Sequence, residues 1–250
     1  MGFANIGRLA ATALAGLLAS CAQVETTSAD RFTATGELIA LSGGDAGAPN
    51  ACFTCHGLEG MGNGAGAPRL AGIGMGYLDR QLEAYADGRR QHEAMSWIAK
   101  RLSADDRLSV AAYYAALPPG GAGPGPELQA PQLWVEGDAS RGLPACAACH
   151  GAAGEGSGPA NPPLAGQPAV YLAEQIELWR LAKRRTDPGN MMLAISQRLT
   201  PREAQVLSAY AASLPAGPPH REFAAASRAA RRDDPRNDAS APPPRATGPR

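Results

Sequence analysis

The chain has 250 residues, with 23 basic and 23 acidic side chains that cancel at pH 7. This balance disfavours a strongly electrostatic partner such as DNA. No apolar run reaches the ~20 residues of a membrane-spanning helix, and a hydrophobic content of 44% argues against outright disorder. Because aromatic residues make up only 5% and Gly and Pro number 30 and 22, we expect a loop-rich protein whose interior needs more than side chains to fill it.

The N-terminal segment 1–20 predicts an export signal. It carries one charge, Arg8, followed by an apolar stretch from Leu9 to Ala19 that is shorter than a membrane span. The stretch ends in Leu-Ala-Ser-Cys21, which resembles a bacterial lipobox. The resemblance implies cleavage before Cys21 and a lipid on its sulfur; the alternatives are an ordinary cleavage site nearby and an uncleaved anchor.

Cysteine usage supports lipidation of Cys21. The chain has five cysteines, and the other four fall into two matching motifs, so Cys21 is the odd one. Acylation would remove a free thiol from an oxidising compartment. We therefore expect a periplasmic protein anchored by lipid to a membrane. By analogy with enteric bacteria, Ala22 favours the outer membrane over the inner one.

The sequence contains two copies of one unit. With an offset of 94, residues 52–85 match residues 146–179 at 15 of 34 positions. After a three-residue insertion in the second copy the offset becomes 97, and Met95 then aligns with Met192. Composition and the repeat predict an all-α chain with these segments: signal peptide 1–20, tether 21–30, first domain 31–117, Pro/Gly-rich linker 118–130, second domain 131–216 and disordered tail 217–250. The Arg-rich tail is read as solvated, with contact to anionic lipid as the alternative.

Helix signals recur at equivalent positions in the two copies. Ser103 and Thr200 each begin a capping-box sequence, and the helix that follows ends before Pro118 or Pro215. One face of each helix is apolar, through Val110, Tyr113 and Leu117 in the first copy and Leu207, Tyr210 and Leu214 in the second. Two further helices are predicted over 77–88 and 171–184, and nothing alternates as a strand should.

The chemistry-bearing motif is Cys-x-x-Cys-His, present at Cys52, Cys55 and His56 and again at Cys146, Cys149 and His150. Two thiols three positions apart on a helical turn can each bond one vinyl group of a haem, while the adjacent His binds the iron. The alternatives are a zinc site, which needs four converging ligands, and a redox cysteine pair, which usually sits in a βαβ context. The sequence therefore predicts two covalently attached haem c groups, and an apo form that is molten or unfolded.

Methionines are the predicted distal iron ligands. Met95 and Met192 occupy equivalent places, and a neutral thioether favours ferrous iron and raises the potential. Met191 is the alternative in the second copy, and His92 would give a low-potential bis-His site in the first. The general alternative for a lone methionine is gap-filling in a core.

Pro68 and Pro162 each lie twelve residues after a haem His. A proline carbonyl that accepts from the His Nδ1–H would fix the ring and strengthen its bond to iron. The alternative is a plain turn. Two interpretations are open for Tyr77, Tyr171 and Trp179: contact with a haem propionate, or packing in the core. We favour packing.

The whole of 31–216 resembles a dihaem cytochrome c of the cytochrome c4 family. Each half carries Cys-x-x-Cys-His, Pro-x-Leu-Ala-Gly, Tyr-Leu-x-x-Gln and a Met before the last helix. The resemblance implies two fused class I domains with pseudo-two-fold symmetry and haem edges that approach across the interface. It also implies an electron carrier between periplasmic or membrane-bound respiratory complexes, ending at a terminal oxidase. The chain departs from the family at Ile73, where the second copy has Gln167, and in its lipobox and tail.

Three functions are compatible with this pattern. The first is an electron carrier, because two matched His/Met sites leave no coordination position open. The second is the cytochrome subunit of a periplasmic dehydrogenase, for example a flavoprotein that oxidises sulfide. The third, a dihaem enzyme acting on peroxide or a sulfur compound, requires an open iron and is disfavoured by both methionines. The first is preferred, with redox proteins and a membrane as partners and no nucleic acid.

Overall fold

The computed structural model describes residues 28–120 and 128–217. The predicted signal peptide, most of the tether with Cys21, the centre of the linker and nearly all of the tail lie outside the described residues. Within them the fold is all-α, as predicted, and strand-type pairing is limited to isolated β-bridges. Among the same residues, no helix combines the length and the apolar character needed to cross a membrane.

The first domain contains five of the described helices. They are α1 (Ser28–Ser42), α2 (Phe53–His56), α3 (Met75–Ala86), α4 (Glu93–Ala99) and α5 (Ala104–Ala116). Helix α5 contacts both α1 and α3, and α3 also contacts α4. Their shared core contains the buried residues Ile39, Ile73, Leu78, Val110 and Tyr114 among others. The sequence reasoning did not predict α1, which begins at Ser28, within the segment expected to be a tether.

The second domain repeats this plan with a shorter start. Its helices are α6 (Gln132–Val135), α7 (Ala147–His150), α8 (Ala169–Arg180), α9 (Met191–Arg198) and α10 (Pro201–Ser213). Helix α8 packs against both α9 and α10. A compact cluster around Trp134, Leu172, Leu207 and Tyr210 forms the core.

Both predicted capping boxes are present. Ser103 accepts a hydrogen bond from the backbone N–H of Asp106 and Thr200 from that of Glu203, and each carboxylate bonds back to the cap residue's N–H. These reciprocal bonds satisfy backbone donors that a helix start otherwise leaves unpaired. The capping boxes therefore fix where α5 and α10 begin.

The two helices predicted over 77–88 and 171–184 are displaced. Helix α3 begins at Met75 and α8 at Ala169, two residues earlier than predicted in each case. Both also end earlier, because Gly88 has a φ of 83° and Ala182 a φ of 53°, which a right-handed helix does not accommodate. The residues beyond these breaks contact the other domain: the N–H of Gln91 donates to the Lys183 carbonyl at 3.1 Å, and the N–H of Arg185 to the Arg89 carbonyl at 2.8 Å.

Candidate haem sites

The first attachment motif forms one short helical turn. Cys52 precedes α2, Cys55 lies within it, and His56 is its last residue. The turn ends at Gly57, whose φ of 76° takes the chain out of the helix. Neither thiol forms a disulfide, and burial raises the pKa of Cys52 to about 11. An inner protonated thiol and an exposed outer one are therefore held on one turn.

The second motif has the same geometry. Cys146 precedes α7, His150 ends it, and Gly151 terminates the turn with a φ of 82°. Burial raises the pKa of Cys146 to about 11 as well. Cys146 and Cys149 form no disulfide, and both are partly buried. The two sequence motifs thus fold into superimposable turns, as expected for two copies of one cofactor site.

Each histidine is oriented by the proline carbonyl that the sequence suggested. His56 Nδ1 lies 2.9 Å from the Pro68 oxygen, and His150 Nδ1 lies 2.9 Å from the Pro162 oxygen. A carbonyl oxygen can only accept, so Nδ1 must carry the proton, and Nε2 keeps a free lone pair. Burial lowers the pKa of both rings. Both histidines are thus held neutral in the tautomer that an iron ligand needs.

In each domain, one glycine lets the chain pass close to the histidine. The N–H of Gly62 donates to the His56 carbonyl at 2.8 Å, and the N–H of Gly156 donates to that of His150 at 2.7 Å. A Cβ on Gly62 would lie 2.5 Å from the Ala67 carbonyl oxygen, and one on Gly156 would lie 2.5 Å from a backbone nitrogen. Both have a φ near 77°, which favours glycine. This requirement explains why the two glycines recur at the repeat offset.

The predicted methionine ligands lie in the first turns of helices α4 and α9. Met95 lies in the first turn of α4 and is partly buried. In α9, Met192 is partly buried, whereas Met191 is 54% exposed. His92 is the N-cap of α4, and its Nδ1 accepts from the Met95 N–H at 3.3 Å. These placements favour Met95 and Met192, and iron ligation by either residue stays a prediction.

Two arginines that the sequence reasoning missed meet between the domains. Arg90 donates to Gln81 of its own domain at 2.9 Å, and across the interface to Tyr171 at 2.9 Å and Gln175 at 2.7 Å. Arg184 makes the mirror set: it donates to Gln175 at 2.8 Å and across to Tyr77 at 2.7 Å and Gln81 at 3.0 Å. The exchange of equivalent partners shows pseudo-two-fold symmetry. The repeat offset of 94 also relates Arg90 to Arg184, a signal that could have identified them.

Tyr77 and Tyr171 pack against the cores of their domains, as we expected, and their hydroxyls also take part in this cluster. The two tyrosine hydroxyls accept from guanidinium groups of the opposite domain. The Trp179 ring lies 3.9 Å under the Arg184 guanidinium, and its N–H donates to Asp187 at 2.9 Å. The two hydroxyls are used because a buried guanidinium must donate to acceptors on several sides.

The donor set fits haem at both positions. Each domain offers paired thiols, a histidine with a free Nε2 and a methionine in its own repeat position. Arg90 and Arg184 are 3% and 2% exposed, and no ion pair within the described residues involves them. Arg90 Nε is also buried without a partner. Buried cations need anions, and haem carries carboxylate side chains. Among the residues that the structure describes, no three His, Cys, Asp or Glu side chains lie close enough together to hold a metal ion between them.

Comparison with known proteins agrees with this geometry. The family model described as Cytochrome c matches residues 44–117 and 132–215. The chain belongs to the cytochrome c family. Since cytochrome c domains bind haem c covalently, this dihaem cytochrome holds two such groups.

Individual relatives narrow the family. The cytochrome is 38% identical over 207 residues to a thiosulfate dehydrogenase electron acceptor of Stutzerimonas stutzeri, covering 80% of this chain and 94% of the relative. Among solved structures it resembles reduced recombinant cytochrome c4 from Pseudomonas stutzeri, with a TM-score of 0.62, 29% identity and coverage of 72% and 97%. It also resembles thiosulfate dehydrogenase (TsdBA) from Marichromatium purpuratum, with a TM-score of 0.65 and 38% identity. That match covers 73% of this chain and 40% of the other. The protein is a cytochrome c4-like electron carrier.

Proposed function

We propose that this dihaem cytochrome is the electron acceptor of a thiosulfate-oxidising dehydrogenase in the periplasm and passes the electrons on towards a terminal oxidase. The observation that carries the proposal is a pair of matched haem sites in a chain 38% identical to a thiosulfate dehydrogenase electron acceptor over 94% of that protein. This favours a dehydrogenase partner, the second of the three functions above, over a general carrier. It names thiosulfate rather than sulfide as the substrate of the partner.

The protein's own residues keep both sites in an electron-transfer configuration. His56 and His150 are fixed through Nδ1 by the proline carbonyls, so each Nε2 would bind iron without a large reorganisation. Met95 and Met192 would fill the remaining iron position and exclude substrate from the metal. Bound haem c supplies one reversible ferric/ferrous couple per domain. A dehydrogenase that removes two electrons from its substrate can therefore deliver one to each domain.

Residual charge does not steer docking strongly. Residues 31–117 sum to −1 and residues 131–217 sum to zero, by 8 basic against 9 acidic and 7 against 7 side chains. Long-range attraction between neutral bodies is weak, so contact with the partner depends on tethering and on local shape. A lipid on Cys21 would supply the tether, and confinement to a membrane raises the effective concentration of partners.

The test is direct reduction by a thiosulfate dehydrogenase. Oxidised holoprotein is mixed anaerobically with the enzyme and thiosulfate, and the haem absorbance is followed against total haem reducible by dithionite. We expect full reduction, two electrons per chain, and much slower reduction of a monohaem cytochrome c under the same conditions. If dithionite reduces both haems while enzyme and thiosulfate reduce neither, the proposal is wrong.

Tethering is tested separately. The Cys21→Ala protein should leave the membrane fraction while the mature wild-type protein stays with it and carries an acyl mass on its N-terminal cysteine. A wild-type protein that is released by salt alone and has no added mass would contradict the lipid anchor.

A further inference from the structure

One glutamine of the second domain, Gln167, grips the backbone of the first domain through two hydrogen bonds. The N–H of Arg69 donates to Gln167 Oε1 at 3.0 Å, and Gln167 Nε2 donates to the Arg69 carbonyl at 2.9 Å. Both residues are buried, at 3% exposure for Gln167 and 1% for Arg69. A single amide side chain therefore satisfies both the backbone N–H and the backbone carbonyl of Arg69, a residue 98 positions earlier in the chain.

The gripped peptide is the one that orients the first haem histidine. The Arg69 N–H and the Pro68 carbonyl belong to the same planar peptide unit. The Pro68 oxygen lies 2.9 Å from His56 Nδ1. A hydrogen-bond chain therefore runs from Gln167 Oε1, through this peptide, to the ring that would bind iron. Bonds in such a chain polarise one another, so an acceptor on the N–H strengthens the carbonyl as an acceptor.

The second domain has no equivalent chain, for two independent reasons. The residue after Pro162 is Pro163, which has no N–H to donate. The position equivalent to Gln167 is Ile73, whose side chain cannot hydrogen-bond. His150 keeps its 2.9 Å contact with the Pro162 oxygen, but that peptide receives no support from the first domain. The connection is therefore one-sided.

We propose that Gln167 is a positioning residue of the second domain that tunes the haem of the first domain through the Arg69 peptide and His56. A stronger acceptor at Nδ1–H makes the imidazole a stronger donor to iron. A stronger donor favours the ferric state. Gln167 therefore holds the potential of the first haem below the value it would have without the second domain. The inference depends on His56 as iron ligand, as proposed above.

The charge of Arg69 can be separated from this effect. Its guanidinium donates to the Ala165 carbonyl at 3.0 Å and also to the Ala71 carbonyl. These two residues are equivalent at the repeat offset, so the charge lies near the pseudo-two-fold axis and acts on both haems alike. Burial lowers the pKa of Arg69 to about 10, and the group is still charged at neutral pH.

The deciding variant is Gln167→Met in full-length holoprotein, which keeps the length of the side chain and removes both bonds. In the reduced, diamagnetic protein, NMR measures exchange of the Nδ1 proton of each haem histidine, and a redox titration gives each haem's potential. We expect the Nδ1 proton of His56 to exchange at least tenfold faster than in the wild type, and the exchange rate at His150 to stay unchanged. We also expect a rise of up to tenfold in the ferrous:ferric ratio of the first haem, equivalent to about 59 mV for one electron.

Arg69→Ala is the matched control. It retains the N–H and carbonyl that Gln167 grips, so His56 exchange should stay at the wild-type rate while both potentials shift in the same direction. Should Gln167→Met fail to fold, Arg69→Pro copies the Pro162-Pro163 pair and removes the N–H. Its His56 exchange should then exceed that of Arg69→Ala.

Two results would overturn the inference. In one, the Gln167→Met exchange rates change equally at His56 and His150. In the other, neither rate changes although both haems remain low-spin. A wild-type spectrum without a His/Met signature at the first haem would instead overturn the ligand assignment, which is a separate failure.

Discussion

The two domains enclose the same attachment turn with different amounts of protein. In the first, α1, a helix of 15 residues, precedes the turn and packs on α5. In the second, the segment before the turn contains α6, four residues that include Trp134. Trp134 is 1% exposed, its ring lies 5.2 Å from that of Tyr210, and its N–H donates to the Ala152 carbonyl at 3.1 Å. The segment before the attachment turn thus packs through a long helix in one domain and through a single large side chain in the other.

This difference extends to the size of the core. Nine buried residues form the cluster of the first domain, and five form that of the second. Hydrophobic stabilisation scales with the apolar area removed from water. The first domain therefore has more hydrophobic stabilisation from side-chain packing alone, without the cofactor. The comparison indicates that the second domain depends more on its haem for folding.

Preventing attachment of one haem at a time should unfold the two domains to different extents. Cys146→Ala with Cys149→Ala prevents attachment in the second domain, and Cys52→Ala with Cys55→Ala prevents it in the first. We expect loss of most helicity of residues 131–216 in the former and partial retention over residues 31–117 in the latter, because α1 and α5 still pack. Circular dichroism and limited proteolysis measure this, with the absorbance of the remaining haem as the control. Equal collapse in the two proteins, or the reverse order, would contradict the argument from core size.

The features that sequence reasoning located are the ones that repeat. The attachment turns, the proline carbonyls and both capping boxes each depend on short, local patterns that occur twice at a fixed offset. Their chemistry requires particular residue types, such as a proline carbonyl for the His Nδ1–H. The all-α fold followed from the same local signals. Repetition therefore provided an internal check that a single motif lacks.

What sequence reasoning missed depends on the partner domain. Arg90 and Arg184 repeat at the offset of 94, but their role appears only when each guanidinium meets a tyrosine 81 or 107 positions away. Helix α1 was missed because it has no counterpart in the second copy. The grip of Gln167 on Arg69 was invisible because its geometry needs two domains in place. Tertiary contacts of this kind leave no periodicity in the chain.

The packing of α1 can be tested at Gly36. A Cβ at this position would lie 2.0 Å from the Ser109 carbonyl oxygen of α5, so Gly36→Ala must push the two helices apart. Overpacking of this kind costs about 1–3 kcal/mol. We expect that loss in the first domain alone, measured by urea unfolding with the absorbance of each haem as the reporter.

Gly66→Ala is the matched control for that change. A Cβ on Gly66 meets nothing within 4 Å, and its backbone is outside the left-handed region. This variant should unfold at the wild-type urea concentration. If Gly36→Ala also left the midpoint unchanged, α1 would not be a tightly packed part of the first domain.

The smallest expected effect concerns acid stability. In the second domain Arg141 grips the capping-box carboxylate of α10, with its guanidinium 2.7 Å and 2.9 Å from the two oxygens of Glu203. This bond holds the pKa of Glu203 at about 2, below its ordinary 4.5. Position 47, which an offset of 94 relates to Arg141, is glycine, and no ion pair among the residues that the structure describes involves Asp106 of the α5 capping box.

A lowered carboxyl pKa stabilises the fold fully above the unfolded pKa of 4.5, and the contribution is lost as the pH falls towards 2. Glu203→Gln should therefore lower the melting temperature of the second domain at pH 6, by less than Gly36→Ala lowers that of the first. Its deficit relative to wild type should shrink between pH 4.5 and pH 2. Glu203→Gln in an Arg141→Ala background is the control, and its deficit should change less over that range. An equal pH dependence in the two variants would mean that Arg141 adds nothing to the capping box, and that the domains differ in packing but not in this electrostatic contact.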